Sequence, residues 1–281
     1  MSTGMLEPRS GAWARKETTK FAARHRNFNR GLKEETMADL RNYQTRMSPA
    51  GAQAGAVIDE GLRAYMLKVY NLMALGLAIT GVAAYGTYAL AASNPAFAQL
   101  IYASPLKWVV MLAPLALVFF LSFRINSMSV ATAQMTFWVY AALMGLSLSS
   151  IFLVFTGQSI VQTFFVTAAS FGALSLYGYT TKKDLSGLGS FLIMGLFGVI
   201  IASVVNIFLA SSALGFAISV IGVLIFAGLT AYDTQKLKEM YFEGDDALVA
   251  GRKAIMGALT LYLDFINLFM FMLQFLGNRN E

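Results

Sequence analysis

Two aspartates stand where a carboxylate is costly. Asp233 and Asp264 are the only acids inside the long apolar runs of this 281-residue chain. A charged side chain in a bilayer core costs at least roughly 3 kcal/mol on insertion scales, so it needs an interior face and a partner. Two carboxyls brought together in low dielectric cannot both ionise cheaply. They share a proton and titrate as a pair. Such a pair can sense pH or bind a cation. Calcium takes about six to eight oxygen ligands, so two acids supply only part of a site. Its affinity would be modest and would fall on protonation. The residues alone also allow a structural reading, with Asp264 as a hydrogen-bonding group and Asp233 as a solvated helix-end acid.

The surroundings of the acids are ordered. Gly257, Thr260, Asp264, Asn267 and Gln274 recur at steps of three and four, with Phe271 filling the gap. That spacing predicts one polar stripe on a helix. A helix with a single polar stripe is best placed at the centre of a bundle, away from lipid. Thr230, Asp233 and Thr234 cluster near the end of the preceding run. Measured from the ends of their runs, the acids sit at different depths. Asp264 is near the middle, and Asp233 is about one turn inside. Arg124 closes the second run at the level predicted for Asp233. It reads either as a gating counter-ion or as a snorkelling arginine at the membrane face.

What is absent narrows the chemistry. There is no cysteine and one histidine, His25, in the polar N-terminal region. Disulfides, thiolate nucleophiles and histidine-built zinc sites are excluded. So is a Ser-His or Cys-His arrangement inside the membrane. An enzyme is not expected, and neither is a cofactor other than a bound or transported ion. An intramembrane aspartyl protease would also place acids in two neighbouring spans. That class carries Gly-x-Gly-Asp, whereas this chain reads Leu261-Tyr262-Leu263-Asp264, and all five prolines lie at or before Pro114.

These residues must be positioned by membrane helices. Apolar residues make up 57% of the chain and charged ones 13%, against roughly 25% charged in a soluble domain. Seven apolar segments can be read, at about 70–91, 107–123, 131–154, 160–179, 188–209, 214–235 and 254–276. Each has the length a helix needs to cross a bilayer core of ~30 Å. Short polar breaks make neighbours antiparallel. The fold class expected is therefore all-α, an integral membrane seven-helix bundle with the seventh helix central.

The net charge of +6 belongs to this topology rather than to nucleic-acid binding. Residues 1–68 hold twelve of the twenty-one Lys and Arg residues. Alternate loops hold Arg124, Lys182, Lys183, Lys236, Lys238, Arg252 and Lys253, while the opposite side has only Lys107 and Arg279. The positive-inside rule then puts the N-terminus in the cytoplasm. Residues 1–55 read as a basic, disordered cytoplasmic region, and 56–278 as the membrane domain. Gly61 to Met66 reads as a short interfacial helix, with Tyr65 at headgroup level. Gly76, Gly81, Gly86, Gly189, Gly195 and Gly198 are expected to let helices approach closely. Glu243, Asp245 and Asp246 read as a solvated loop.

Three motifs resemble one family. Gly228-Leu229-Thr230-Ala231-Tyr232-Asp233-Thr234-Gln235-Lys236-Leu237 is similar to the sixth-span signature of the Bax inhibitor-1, or transmembrane Bax inhibitor motif, family. Leu261-Tyr262-Leu263-Asp264-Phe265-Ile266-Asn267-Leu268-Phe269 resembles its seventh-span signature. Thr181-Lys182-Lys183-Asp184-Leu185-Ser186 resembles its loop between the fourth and fifth spans. The resemblance covers about residues 55–278. It implies a seven-helix fold around the seventh helix and a pH-sensitive calcium leak in contact with the lipid bilayer, calcium and protons. It also implies a di-aspartyl pair at Asp233 and Asp264, with Arg124 as the matching counter-ion. Thr230, Thr260 and Asn267 are the supporting polar residues. The chain ends Gly277-Asn278-Arg279-Asn280-Glu281, not in the lysine-rich tail of animal cell-death members. The resemblance therefore points to a bacterial-type member in an inner membrane. A non-transporting modulator of a membrane-bound protease or other membrane complex is the alternative, with the basic N-terminal region as the contact.

Overall fold

The structure is a computed structural model and describes residues 60–280. The region expected to be disordered, residues 1–55, lies outside the described residues. Among the described residues seven helices are long and apolar enough to cross a membrane. They are Glu60–Ser93, Leu106–Ser127, Val130–Val154, Gly157–Thr180, Ser186–Leu209, Ser212–Glu239 and Ala247–Leu276. All seven runs read from the sequence are found. The polar breaks between them act as helix starts. Ser129, Thr156, Ser211 and Asp246 each accept the N–H three residues on, from Thr132, Ser159, Leu214 and Val249. Each cap satisfies a donor that the first turn leaves free.

Basic residues gather at one end of the bundle. There Lys238 donates to the Tyr179 carbonyl and Arg252 to the Met128 carbonyl, at 3.0 and 2.7 Å. At the other end the C-terminal residues hold the connection between the third and fourth spans. Thr156 N–H donates to the Asn278 carbonyl and Asn280 N–H to the Val154 carbonyl. The seventh span is the most buried, with 61% of its most apolar stretch inside, against 39% in the sixth and 11% in the fifth. It touches the first, third, fourth and sixth spans and the end of the second.

Three local expectations change. Tyr65 does not stand on the outer surface of the bundle. It is 8% exposed in the core, 5.7 Å from the Tyr241 ring, and its segment is the start of the first span. The acidic loop is more than a solvated one. Asp245 pairs with Lys253 at 2.6 Å and Asp246 caps the seventh span. Of the six glycines, Gly81, Gly86 and Gly198 face open space. The closest approach to main chain is at Gly178, where a Cβ would collide with the Ala231 carbonyl. Only the missing side chain lets the fourth and sixth spans meet there.

Candidate functional site

The sixth and seventh spans bring the two acids together. Their antiparallel register is visible along the whole interface. Lys253 reaches the Met240 carbonyl at 3.1 Å, Gly257 lies against Leu237, and Ser219 donates to Gln274 at 3.2 Å. Between these contacts Asp233 and Asp264 lie close together, near enough for their carboxyl groups to interact, and both line one groove. The depth mismatch expected from the sequence is therefore absent. The seventh helix begins at Ala247, and its first seven residues, ~10 Å of helix, run beyond the end of the sixth. An apolar run's end is not a ruler of depth when a helix continues past it.

Asp264 is 5% exposed and Asp233 is half-buried. Asp264 Oδ2 receives no N–H or O–H from any other described residue. The Asp233 carboxyl is close by, and a hydrogen bond between the two carboxyls needs one of them to carry a proton. Among the described residues the one ion pair is Lys253–Asp245, so neither acid of the pair has a cation on it.

Both acids line a groove of about 580 Å³ between the fifth and seventh spans, floored by the sixth. Thr260 and Asn267 line it too. Thr260 Oγ1 donates to the Met256 carbonyl and Asn267 Nδ2 to the Leu263 carbonyl, which leaves the Asn267 carbonyl oxygen free to face a guest. Thr230 does not line it. This residue is fully buried and donates to the Phe226 carbonyl, while its own carbonyl accepts from Thr234. Its role is to hold the inner face of the sixth span. Thr234 continues to Ser175 at 3.0 Å, and Ser175 to Tyr70, which ties together the sixth, fourth and first spans.

Arg124 is not brought to the acids. It is exposed at the end of the second span, and the ion pair expected with Asp233 is not formed in this structure. The segment that follows it, Ile125–Ser127, lies beside the seventh span. The cation nearest in the groove is Lys236, one turn beyond Asp233, with its Nζ 5.8 Å from the Tyr232 ring centre. Its step of three from Asp233 was the signal in the sequence.

Gln235 is a second residue that sequence reasoning passed over. It is 7% exposed, donates to the Lys183 carbonyl and accepts from Leu185 N–H, both at 2.8 Å. One side chain thus fixes the loop that leads into the fifth span, the far wall of the groove. In that loop the Ser186 side chain and then its N–H, at 2.8 Å from Asp184, bond the Asp184 carboxylate and hold it below the usual carboxylate range. Nothing local in the sequence announces the Gln235 clamp, because its partners are backbone groups fifty residues away. No group of three or more His, Cys, Asp or Glu residues able to hold a metal is found among the described residues. A bound cation would have to complete its shell with carbonyls and water.

Fold and site together define a polytopic α-helical membrane protein with a paired-carboxylate site buried against its seventh helix. The chain belongs to the Bax inhibitor-1 family. The family model described as inhibitor of apoptosis-promoting Bax1 matches residues 62–281. The uncharacterized protein RP147 of Rickettsia prowazekii is 53% identical over 225 residues, covering 79% of this chain and 93% of that protein. An uncharacterized protein of Caulobacter vibrioides is 48% identical over 255 residues, 87% of this chain and all of that protein. The inner membrane protein YbhL of Escherichia coli K12 is 50% identical over 222 residues, 78% of this chain and 93% of that one.

Proposed function

We propose that this protein is a pH-sensitive cation leak of a bacterial inner membrane, with calcium as the cation and Asp233 and Asp264 as the ion-binding and pH-sensing pair. The name of the Escherichia coli relative supports the location, and the basic end of the bundle then faces the cytoplasm. The observation that carries the reading is the closeness of two carboxyls that have no cation of their own, in a groove within the membrane-spanning helices. Protons and cations compete for such a pair, because the shared proton must leave before a divalent ion can be held by both carboxylates.

Arg124 supplies the second limb. A deprotonated Asp233 attracts a guanidinium as well as a metal ion. If the end of the second span swings past the start of the seventh, Arg124 closes on Asp233 and excludes the ion. Protonation empties the site, and full deprotonation favours the latch. Calcium flux into proteoliposomes should therefore pass through a maximum as pH is raised. Arg124→Ala should remove the alkaline fall, and Asp233→Asn or Asp264→Asn should abolish both flux and pH response. Asn variants with wild-type flux and pH profile would sink the reading.

A further inference from the structure

The groove beside the acid pair is longer than an inorganic cation requires. The fifth span lines it from Ile193 to Ile207, fifteen residues that rise ~21 Å along the helix. Ile193, Leu196, Ile200, Val204 and Ile207 follow each other at steps of three and four and form one aliphatic stripe. Four of these five are exposed, so the groove opens sideways toward lipid. Its polar end is the carboxyl pair. Asp264 is 95% buried with an oxygen that meets no donor, and neither acid is in an ion pair. Lys236 stands exposed at the rim, beside the Tyr232 ring.

The level of the polar end also matters. Asp233 is six residues, ~9 Å, from the end of a 28-residue helix that is ~42 Å long. A core of ~30 Å leaves ~6 Å of that helix outside at each end. With the helix centred in such a core, Asp233 lies just inside its boundary, Asp264 lies somewhat deeper, and the stripe runs from them toward the opposite face.

We propose that this groove binds a single-chain lipophilic ammonium, with its charged head on Asp233 and Asp264 and its tail along the Ile193–Ile207 stripe. The acids repel a phosphate or carboxylate head and attract an ammonium. The single stripe takes one chain, and the side opening admits it from the bilayer. A membrane amphiphile already carries its head at the core boundary and its tail inward, the order found in the groove. The inference goes beyond the leak reading and does not depend on it.

The test uses the full chain in phosphatidylcholine nanodiscs, with radiolabelled dodecyltrimethylammonium as the probe and empty nanodiscs as the blank. Saturable one-to-one binding is expected. Dodecanol, which lacks the charge, and tetramethylammonium, which lacks the chain, should each bind at least ~10-fold more weakly in the same protein. Asp264→Asn should weaken the probe by a similar factor, and Ile200→Trp, which fills the stripe without touching the acids, should block it. Binding no greater than to empty nanodiscs, or equal binding of dodecanol, overturns the proposal. Probe binding without calcium flux would leave this site standing and remove the leak. Flux without probe binding would do the reverse.

Discussion

Replacing Gln235 by alanine should free the loop between the fourth and fifth spans while leaving the acid pair in place. The side chain makes two hydrogen bonds of 2.8 Å, accepting from Leu185 N–H and donating to the Lys183 carbonyl. Leu185 is 6% exposed, so its N–H has no ready access to water once the acceptor is gone. An orphaned buried donor costs about 1–3 kcal/mol. Lys183 is an exposed residue, so its carbonyl can recover most of its bond from solvent. A net loss of about 2 kcal/mol raises the open population of the loop about 30-fold. Lys182 and Lys183 make that opening measurable, because trypsin cuts only a segment that has come away from its neighbours. With opening faster than cutting, the cleavage rate follows the open population. Cleavage at Lys182 and Lys183 in nanodiscs should therefore accelerate about 10- to 30-fold, with cleavage after Lys253 as the internal reference. Gln235→Leu keeps the volume and loses both bonds, so it should be cut as fast as the alanine variant. Wild-type rates in both variants, or rescue by leucine alone, would refute the clamp.

The remaining expectations concern packing and pH. Gly178→Ala drives a methyl group into the Ala231 carbonyl, a main-chain group that cannot turn aside. It should cost about 1–3 kcal/mol or more, whereas Gly81→Ala, which meets nothing within 4 Å, should stay within about 0.5 kcal/mol. Unfolding of the two variants in mixed detergent micelles, side by side, decides this. The Asp184 carboxyl loses its proton below the usual carboxylate range because the Ser186 hydroxyl and N–H bond its charged form. The loop stabilisation it gives is complete above the ordinary carboxylate range and disappears as pH falls through the lowered value. Hydrogen exchange at the Ser186 amide should accelerate at acid pH beyond its intrinsic trend. Asp184→Asn should abolish that extra dependence, and an unchanged profile in the variant would count against it.

The seven spans were legible because the bilayer leaves a chain few choices. A segment in hydrocarbon must bond its own backbone, so apolar length alone announces a helix. The polar breaks were legible as well, since Ser129, Thr156, Ser211 and Asp246 are ordinary helix-capping residues. The stripe of Thr260, Asp264 and Asn267 was visible as a periodicity, and all three line one groove. Register was not legible. It depends on which side chain fits beside which glycine on another helix, as Leu237 does beside Gly257. Hydropathy has no access to that, and so it put Asp233 and Asp264 at different depths. The glycine spacings failed for the same reason. Gly81 and Gly86 repeat neatly and touch nothing, while Gly178, in no repeat, lies on the Ala231 main chain.

The contacts that do form divide the groove into a firm wall and a loose one. The sixth span is fastened to the fourth by Gly178 on Ala231, by the Ser175–Thr234 hydrogen bond and by Lys238 on the Tyr179 carbonyl. It is fastened to the seventh along the whole register that sets the two acids against each other. The fifth span has far less. It lies along the sixth with 11% of its most apolar stretch buried, and the loop before it is held by Gln235. The acids therefore belong to the part of the bundle that resists displacement, and the aliphatic stripe to the part that yields most easily. A guest could widen the groove by moving the fifth span without separating the carboxyls. Loosening the Gln235 clamp should accordingly change how long a chain-bearing guest stays and leave Asp233 and Asp264 in place beside each other. This separates the tail of the site from its charge, two properties that a substitution at either acid would change together.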